Sequence, residues 1–396
     1  VAKPNHPANP AIRLTDGHFY AADPHPHFTW MREHAPVYFD PEGRAWGIAL
    51  YEDVMRVARN PETFCNAEGM RPDSPPIPSM INMDDPAHKR RRNLVNKGFT
   101  PRRIAEHEAK VRAICVDLIE RARAKRSFDF VGEVAAHLPM IMIGDMLGVE
   151  PEDRETLLRW SDDMLHGTSA TAPPAAMQAA MQAFDEYAAY NRRVVADRRS
   201  RPVADDLISV LVHAEIDGEK FDDEALLQET LLILIGGDET TRHVITGGMN
   251  QLIRHPEQKQ KLLDDPTKIP TAVEEMLRWV TPIQNMARTA TRDVELRGQL
   301  IEKGDKLLLL YPSANRDAAV FPDPFRFDVE RKPNEHLAFG YGSHFCLGAS
   351  LARLELRVMF EEILGRLPNL RLVGEAPLEM RASNFITGIE KMPVEG

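Results

Sequence analysis

The chain has 396 residues, 43% of them hydrophobic, enough for one large core or for two domains. A formal net charge of −11 argues against nucleic acid as the main partner. Its three cysteines, Cys65, Cys115 and Cys346, show no framework spacing and suit a reducing compartment.

In chain order, residues 1–12 read as a short N-terminal extension without the apolar core of a secretory signal. PVYFDPEGRAWGIAL, from Pro36, predicts a β-hairpin turning at Asp40–Gly43. Helical patterning follows over 48–59. Residues 66–83, NAEGMRPDSPPIPSMINM, hold four prolines and predict a long surface loop. A helix over 86–97 carries the basic run Lys89–Arg92. In the next helix Ile104, Val111, Cys115, Leu118 and Ala122 share one stripe, so Cys115 is expected as a small buried hydrophobe. The basic run Arg121–Arg126 reads as a solvated helix face. Further helices are expected over 131–147, 151–166, 175–198, 205–214, 222–254, 256–263, 268–280 and 347–366. A second Pro-rich loop, GTSATAPPAA, covers 167–176. Strand signals cluster between Ala287 and Tyr311, with turns at Arg292-Asp293 and Lys303–Asp305, and again between Leu370 and Met392. The longest apolar runs, Leu231–Ile235 and Leu307–Tyr311, are far short of the roughly 20 residues that span a bilayer. The expected fold is mainly α with a minor antiparallel β portion, one unit with an α-rich and a β-rich lobe.

The 222–254 helix begins apolar on all faces, as a helix in the centre of a molecule does. Its middle then carries Gly236-Gly237, which costs about 2 kcal/mol against alanine. That cost suggests a ligand lying against the backbone, a helix crossing being the other reading. Thr240 can bond the Gly236 carbonyl through its hydroxyl and weaken the ladder there. Glu239 beside it completes a plausible acid–alcohol pair for proton delivery, although such a carboxylate is more often simply salt-bridged.

FGYGSHFCLG, from Phe339 to Gly348, stands just before the last helix. Cys346 therefore sits near a helix N-terminus, where the macrodipole and free N–H groups favour a thiolate. Gly340, Gly342 and Gly348 allow tight turns and close approach of amides to the sulfur. Three uses compete. A nucleophile needs a base, and His344 lacks a third triad member. Zinc bound by His336, His344 and Cys346 has neither standard spacing nor a fourth ligand. An axial thiolate to haem iron, where donation from sulfur favours O–O cleavage, also accounts for the glycine groove and the acid–alcohol pair.

The whole chain resembles a bacterial cytochrome P450. Phe339, Gly342, Cys346 and Gly348 match the F-x-x-G-x-x-x-C-x-G signature, residues 236–241 match A/G-G-x-D/E-T-T/S, and Glu275 with Arg278 matches E-x-x-R. The resemblance implies a haem b cofactor ligated by Cys346 and O2 as co-substrate. It implies that Glu239 and Thr240 act in catalysis, and that His88, Arg92, Arg288 and His344 hold the haem propionates. Glu275 and Arg278 would lock the stretch 313–338, with Arg326 as third partner and Arg331 as fallback. Electrons from NAD(P)H would arrive through a ferredoxin and its reductase, docking on the basic stretch 89–92 with Lys97, Arg102 and Arg103. The implied setting is a cytoplasmic bacterial monomer with no transmembrane anchor.

By family position the pocket walls are Met70, Ile77 and Met80, the 160–190 helix pair, Leu232 and Ile235, Val280, Ile283 and Met286, and Phe385 and Ile386. These stretches are rich in Met and Ile and poor in charge, which suits a large lipophilic substrate. The chain is most similar in character to actinobacterial members that hydroxylate the terminal carbon, C26 or C27, of the cholesterol or cholestenone side chain. Rival readings are a hydroxylase of fatty acids or other terpenoids, a peroxide-driven variant, and a haem-based sensor or carrier.

Overall fold

The computed structural model describes residues 4–167, 172–204, 206–216 and 218–396. Its axis is the central helix Asp223–Arg254, capped by Asp222, whose side chain accepts the Ala225 amide at 2.7 Å. Asp223 and Glu224 in its first turn and Arg254 in its last suit the macrodipole. The helix can be apolar on most sides because it is surrounded. His137–Met146, Ile269–Val280, Ala349–Arg366 and the helix pair Arg154–Gly167 and Pro174–Arg199 all pack on it. Cys115, on helix Glu108–Arg123, is buried in the same core. The second Pro-rich loop expected at 167–176 has residues 168–171 outside the described residues.

The main sheet runs in the order Val37–Asp40, Ala45–Ile48, Lys306–Leu310, Asn285–Ala290, Phe64–Cys65. The hairpin turning after Asp40 is present, with Tyr38 opposite Gly47. The sheet is mixed rather than antiparallel as expected. Lys306–Leu310 lies antiparallel to Asn285–Ala290, with Leu308 opposite Ala287, but parallel to Ala45–Ile48, with Leu307 opposite Trp46. This strand is central and covered on both faces, so it reads KLLLL without alternation.

Three features escape sequence patterning. Helix His25–His34 buries only Phe28 and Met31, so its periodicity is faint. The hairpin Val294–Leu296 with Gln299–Ile301 turns at Arg297-Gly298, both at positive φ (50° and 74°), where Asn-Gly is the usual signal. The described part of the N-terminal extension is docked, not loose: the Asn5 amide donates to Gln299 Oε1 at 2.8 Å and the Tyr38 hydroxyl to the Asn9 carbonyl at 2.8 Å.

Glu275 and Arg278 form a fully buried pair with N–O distances of 2.7 and 2.8 Å. Arg278 also donates to the Asn315 and Pro324 carbonyls, and Glu275 accepts from the Asp328 amide and the Asn334 side chain. The stretch 313–338 is thereby fastened to helix Ile269–Val280. The third partner is Arg331, 3.2 Å from Glu275 and buried, and not Arg326. The Arg326 side chain points to solvent and pairs with Asp328 at 2.6 Å, while its backbone carbonyl faces inward and accepts from Arg278 and Arg331. Arg331→Met is therefore expected to destabilise the holoprotein by about 3 kcal/mol, since it strips a buried carboxylate of a partner. Arg326→Ala is expected to leave the urea midpoint unchanged within error; the two midpoints check this.

Between the central helix and helix Ala349–Arg366, Asp238 and Glu355 are both buried, and among the described residues Asp238 Oδ1 and Oδ2 and Glu355 Oε1 have no hydrogen-bond partner. Burial pushes the Asp238 carboxyl up to about 7, against the pull of Arg242, and raises Glu355 further with Asp238 adding to it. A raised carboxyl makes the folded state bind the extra proton, so stability falls as pH rises from about 4 to about 7. Asp238→Asn is expected to flatten that fall, gaining on wild type above about pH 7 and not near pH 4; urea midpoints across this range measure it.

Candidate active site

The loop before the last helix is built on backbone geometry. Gly342 has φ +79°, and a Cβ there would lie 2.7 Å from the Ala58 carbonyl oxygen, so glycine is required. Gly348 is not so constrained: its φ is −83°, and a Cβ would meet nothing within 4 Å. The Cys346 amide donates to the Phe339 carbonyl at 2.9 Å and closes the loop. The amides of Gly348 and Ala349 donate to the sulfur, and Arg92 and Arg353 lie near it. Burial nonetheless pushes the Cys346 thiol up, so the helix terminus expected to yield a thiolate does not suffice alone. A metal cation at the sulfur would supply the missing countercharge.

Sequence reasoning missed the brace beneath this loop. Arg353 grips Glu274 through two bonds of 2.7 and 2.8 Å and lies over the Phe339 ring, 4.7 Å from its centroid. His336 Nε2 is 3.1 Å from the same Glu274. His336 is thus engaged away from Cys346, and no cluster of metal-holding side chains occurs among the described residues. Such a brace has no motif of its own; Glu274 merely precedes the E-x-x-R glutamate.

Four cationic or imidazole groups converge beside the cysteine loop. His88 and His344 stack with centroids 4.0 Å apart. Arg92 donates to the Phe345 carbonyl. Arg288 is buried and donates to the Ala287 carbonyl at 2.8 Å; it has no ion pair among the described residues. Burial, with His88, Arg288 and Arg92 adding to it, holds His344 down to about 2, and burial also lowers Arg288 and Arg92. A buried guanidinium without a carboxylate fits an anionic group supplied from outside the polypeptide. This donor set and the sulfur fit a haem with two propionates.

The two glycines of the central helix have different roles. A Cβ on Gly237 would lie 2.2 Å from Ile143 Cγ1, so Gly237 serves a helix crossing. A Cβ on Gly236 would meet nothing within 4 Å, and Gly236 is exposed in a helix otherwise largely buried. Thr240 Oγ1 donates to the Gly236 carbonyl at 3.0 Å, as the spacing predicts. With Leu232 they form a stripe at helical spacing that is less buried than most of the helix. Glu239 points the other way. It is fully buried, bonded to Arg242 and to Arg381 Nη1 at 2.7 Å, with His243 Nε2 at 3.3 Å. Arg381 continues to Glu390 at 2.5 Å, and Glu390 to His166 at 3.3 Å. The acid and alcohol thus share no hydrogen bond; Glu239 is held in an ion network that spacing alone did not reveal.

The expected pocket residues come from four segments that the fold brings together. Met70 offers its carbonyl to the Ala287 amide beside Met286, and Ile283 forms a bridge with Ile386. The Gln284 amide donates to the Phe385 carbonyl at 2.8 Å. Leu232, Ile235, Ile77, Ile283, Met286 and Phe385 are half-buried, as wall residues are, whereas Met80 and Ile386 lie in the core. Val280 is partly taken by the helix crossing at Gly247, where a Cβ would lie 2.6 Å from it.

The basic run divides. Arg91 turns inward to Glu229 and Arg92 to the cysteine loop, while Lys89, Arg90 and Arg102 are exposed. The side chain of Lys97 lies outside the described residues.

The family model for cytochrome P450 matches residues 71–269 and 268–372. A steroid C26-monooxygenase of Mycobacterium tuberculosis (strain H37Rv) is 50% identical over 387 residues, 97% of each chain. Its namesake from Mycolicibacterium smegmatis is 47% identical, over 97% of this chain and 96% of that one. Among solved structures, cytochrome P450 CYP109E1 of Bacillus megaterium with testosterone superposes with a TM-score of 0.87 at 33% identity, covering 94% of this chain and 97% of that one. With its cysteine loop, the cationic and imidazole groups beside it and its open glycine in the central helix, the chain belongs to the cytochrome P450 family.

Proposed function

We propose that this monooxygenase hydroxylates the terminal methyl, C26 or C27, of a steroid side chain, with cholest-4-en-3-one as the leading substrate. The observation that carries this reading is the match, near half identity and almost end to end, to relatives named steroid C26-monooxygenases. The apolar, Met- and Ile-rich walls support a lipophilic ligand. Bound haem supplies the activation of O2 and the transfer of one oxygen atom. Cys346 would hold its iron through the sulfur, and His88, Arg92, Arg288 and His344 would hold its propionates. Gly236 leaves room beside the helix, and Thr240 presents a hydroxyl there whose proton already has an acceptor in the Gly236 carbonyl. Glu239 is the acid behind it, bonded to Arg242 and Arg381 and available for proton transfer when that network loosens.

In this reading the chain works as one domain and as a monomer in a bacterial cytoplasm. It takes electrons from NAD(P)H through a ferredoxin and its reductase. Lys89, Arg90 and Arg102 form the docking patch for the acidic partner, fewer residues than the sequence run suggests. No helix among the described residues is long and apolar enough to cross a membrane.

Cholest-4-en-3-one is expected to shift the ferric Soret band to its high-spin position, and turnover with a ferredoxin system is expected to give the terminal alcohol. A fatty acid or a non-steroid terpene shifting the band while cholestenone does not would replace this substrate. For the proton path, Glu239→Gln is expected to lower kcat about a hundredfold with cholestenone affinity retained. Thr240→Ala is expected to release peroxide in place of product; product formed per NADPH consumed, measured beside the spin shift, checks both.

A further inference from the structure

A polar contact in the pocket wall is left unused by the chemistry above. Glu229, on the central helix, is fully buried. Its Oε1 accepts the Met80 amide at 2.7 Å and Arg91 Nη1 at 3.2 Å. The same Arg91 nitrogen donates to the Pro78 carbonyl at 3.1 Å. One carboxylate from the central helix and one guanidinium from helix Ala87–Val95 therefore hold the segment 77–80 at two points. Within that segment Pro78 carries no N–H and the Ser79 amide is spent on the Ile77 carbonyl at 2.8 Å. Its other bonds are local, such as those from Asn82 Nδ2 to the Ile77 carbonyl at 3.2 Å and from the Asn82 amide to the Ser79 carbonyl at 3.0 Å, and the Met80 side chain is buried.

The contact is built at some expense of stability. Burial pushes the Glu229 carboxyl up to about 7, with Arg91 pulling it back, and among the described residues Glu229 Oε2 and the neighbouring Ser79 Oγ have no partner. Its place on the helix is also specific. Glu229, Leu232, Gly236 and Thr240 are spaced by three, four and four residues, so they share one stripe. About 16 Å of helix rise separates Glu229 from Thr240, comparable to the long axis of a sterol.

We propose that Glu229 and Arg91 are positioning residues for substrate specificity: they clasp segment 77–80 against the central helix and set the length of molecule that brings a terminal carbon to Thr240. This rests on the reading of the chain as a terminal steroid hydroxylase. Releasing the clasp lets segment 77–80, with the half-buried Ile77, move outward and loosens the fit of a long ligand, while a short ligand, which does not reach that segment, keeps its affinity.

The test uses holoenzyme carrying Arg91→Gln or Glu229→Gln, each checked for an intact thiolate-ligated ferrous–CO spectrum. Dissociation constants are read from the ferric spin shift for cholest-4-en-3-one and for testosterone, which lacks the side chain. Hydrogen exchange at the Met80 amide is measured on ligand-free protein. Both variants are expected to weaken cholestenone about tenfold with testosterone changed less than about twofold, and to speed Met80 exchange about tenfold or more. Arg91→Lys is expected to restore part of both effects. Equal weakening of the two steroids, or unchanged Met80 exchange, overturns the clasp. If wild type binds neither steroid, the substrate reading fails by itself and Met80 exchange still decides whether the clasp exists. Should Glu229→Gln lose the thiolate spectrum, Arg91→Gln, at the more exposed partner, decides the matter.

Discussion

The buried ion triad of Glu275, Arg278 and Arg331 is the constraint on which the site rests. It ties an irregular stretch, 313–338, to a helix, and that stretch delivers the chain directly into Phe339 and the cysteine loop. Irregular backbone carries many polar groups, and burying it demands a partner for each. Arg278 and Glu275 answer several at once, through the carbonyls of Asn315 and Pro324 and the amide of Asp328. The neighbouring Glu274 extends the same helix toward Arg353 and His336, so one helical turn secures both the approach to the loop and the helix that follows it. Although burial pushes Glu274 up, its bonds from Arg353 and His336 hold it at about 2.

Above that base, the site contrasts two kinds of surface on one helix. The stripe through Leu232, Gly236 and Thr240 lacks covering side chains, while the opposite side holds Glu239 within charges contributed by three parts of the chain. Asp162 and His166 come from helix Arg154–Gly167, and Arg381 and Glu390 from the C-terminal segment. The acid is therefore coupled to segments that are distant in sequence, which lets the reacting side stay apolar while a fixed charge stays near it.

What sequence could reveal follows from what each feature needs. Gly342, Thr240 and the E-x-x-R pair depend on local backbone or on i,i+3 and i,i+4 spacing, and these were legible. The central helix was legible too, since burial on all sides writes itself as continuous apolar sequence. The parallel pairing of Lys306–Leu310 with Ala45–Ile48 was not, because register between strands some 260 residues apart leaves no local mark. Arg326 and Arg331 sit in one short run, and only the turn decides which of them faces inward. Gly236 and Gly237 look equivalent on paper; Ile143, from another helix, separates them. The thiol of Cys346 shows the same limit, since the amides near it are local and the desolvation that outweighs them is not.

Arg288 has a meaning beyond its part in the site. Among the described residues this buried guanidinium has a neighbouring carbonyl and no ion pair, so the polypeptide's own charge balance is incomplete at that point. Under the proposed role of Arg288 as a propionate partner, the counter-ion would come from a different molecule, and the finished core would be a joint product of chain and cofactor. Assembly and loading would then be one process: the strand that carries Arg288 would reach its lowest free energy with the propionate in place, and the supply of haem would enter directly into how much of this protein persists folded.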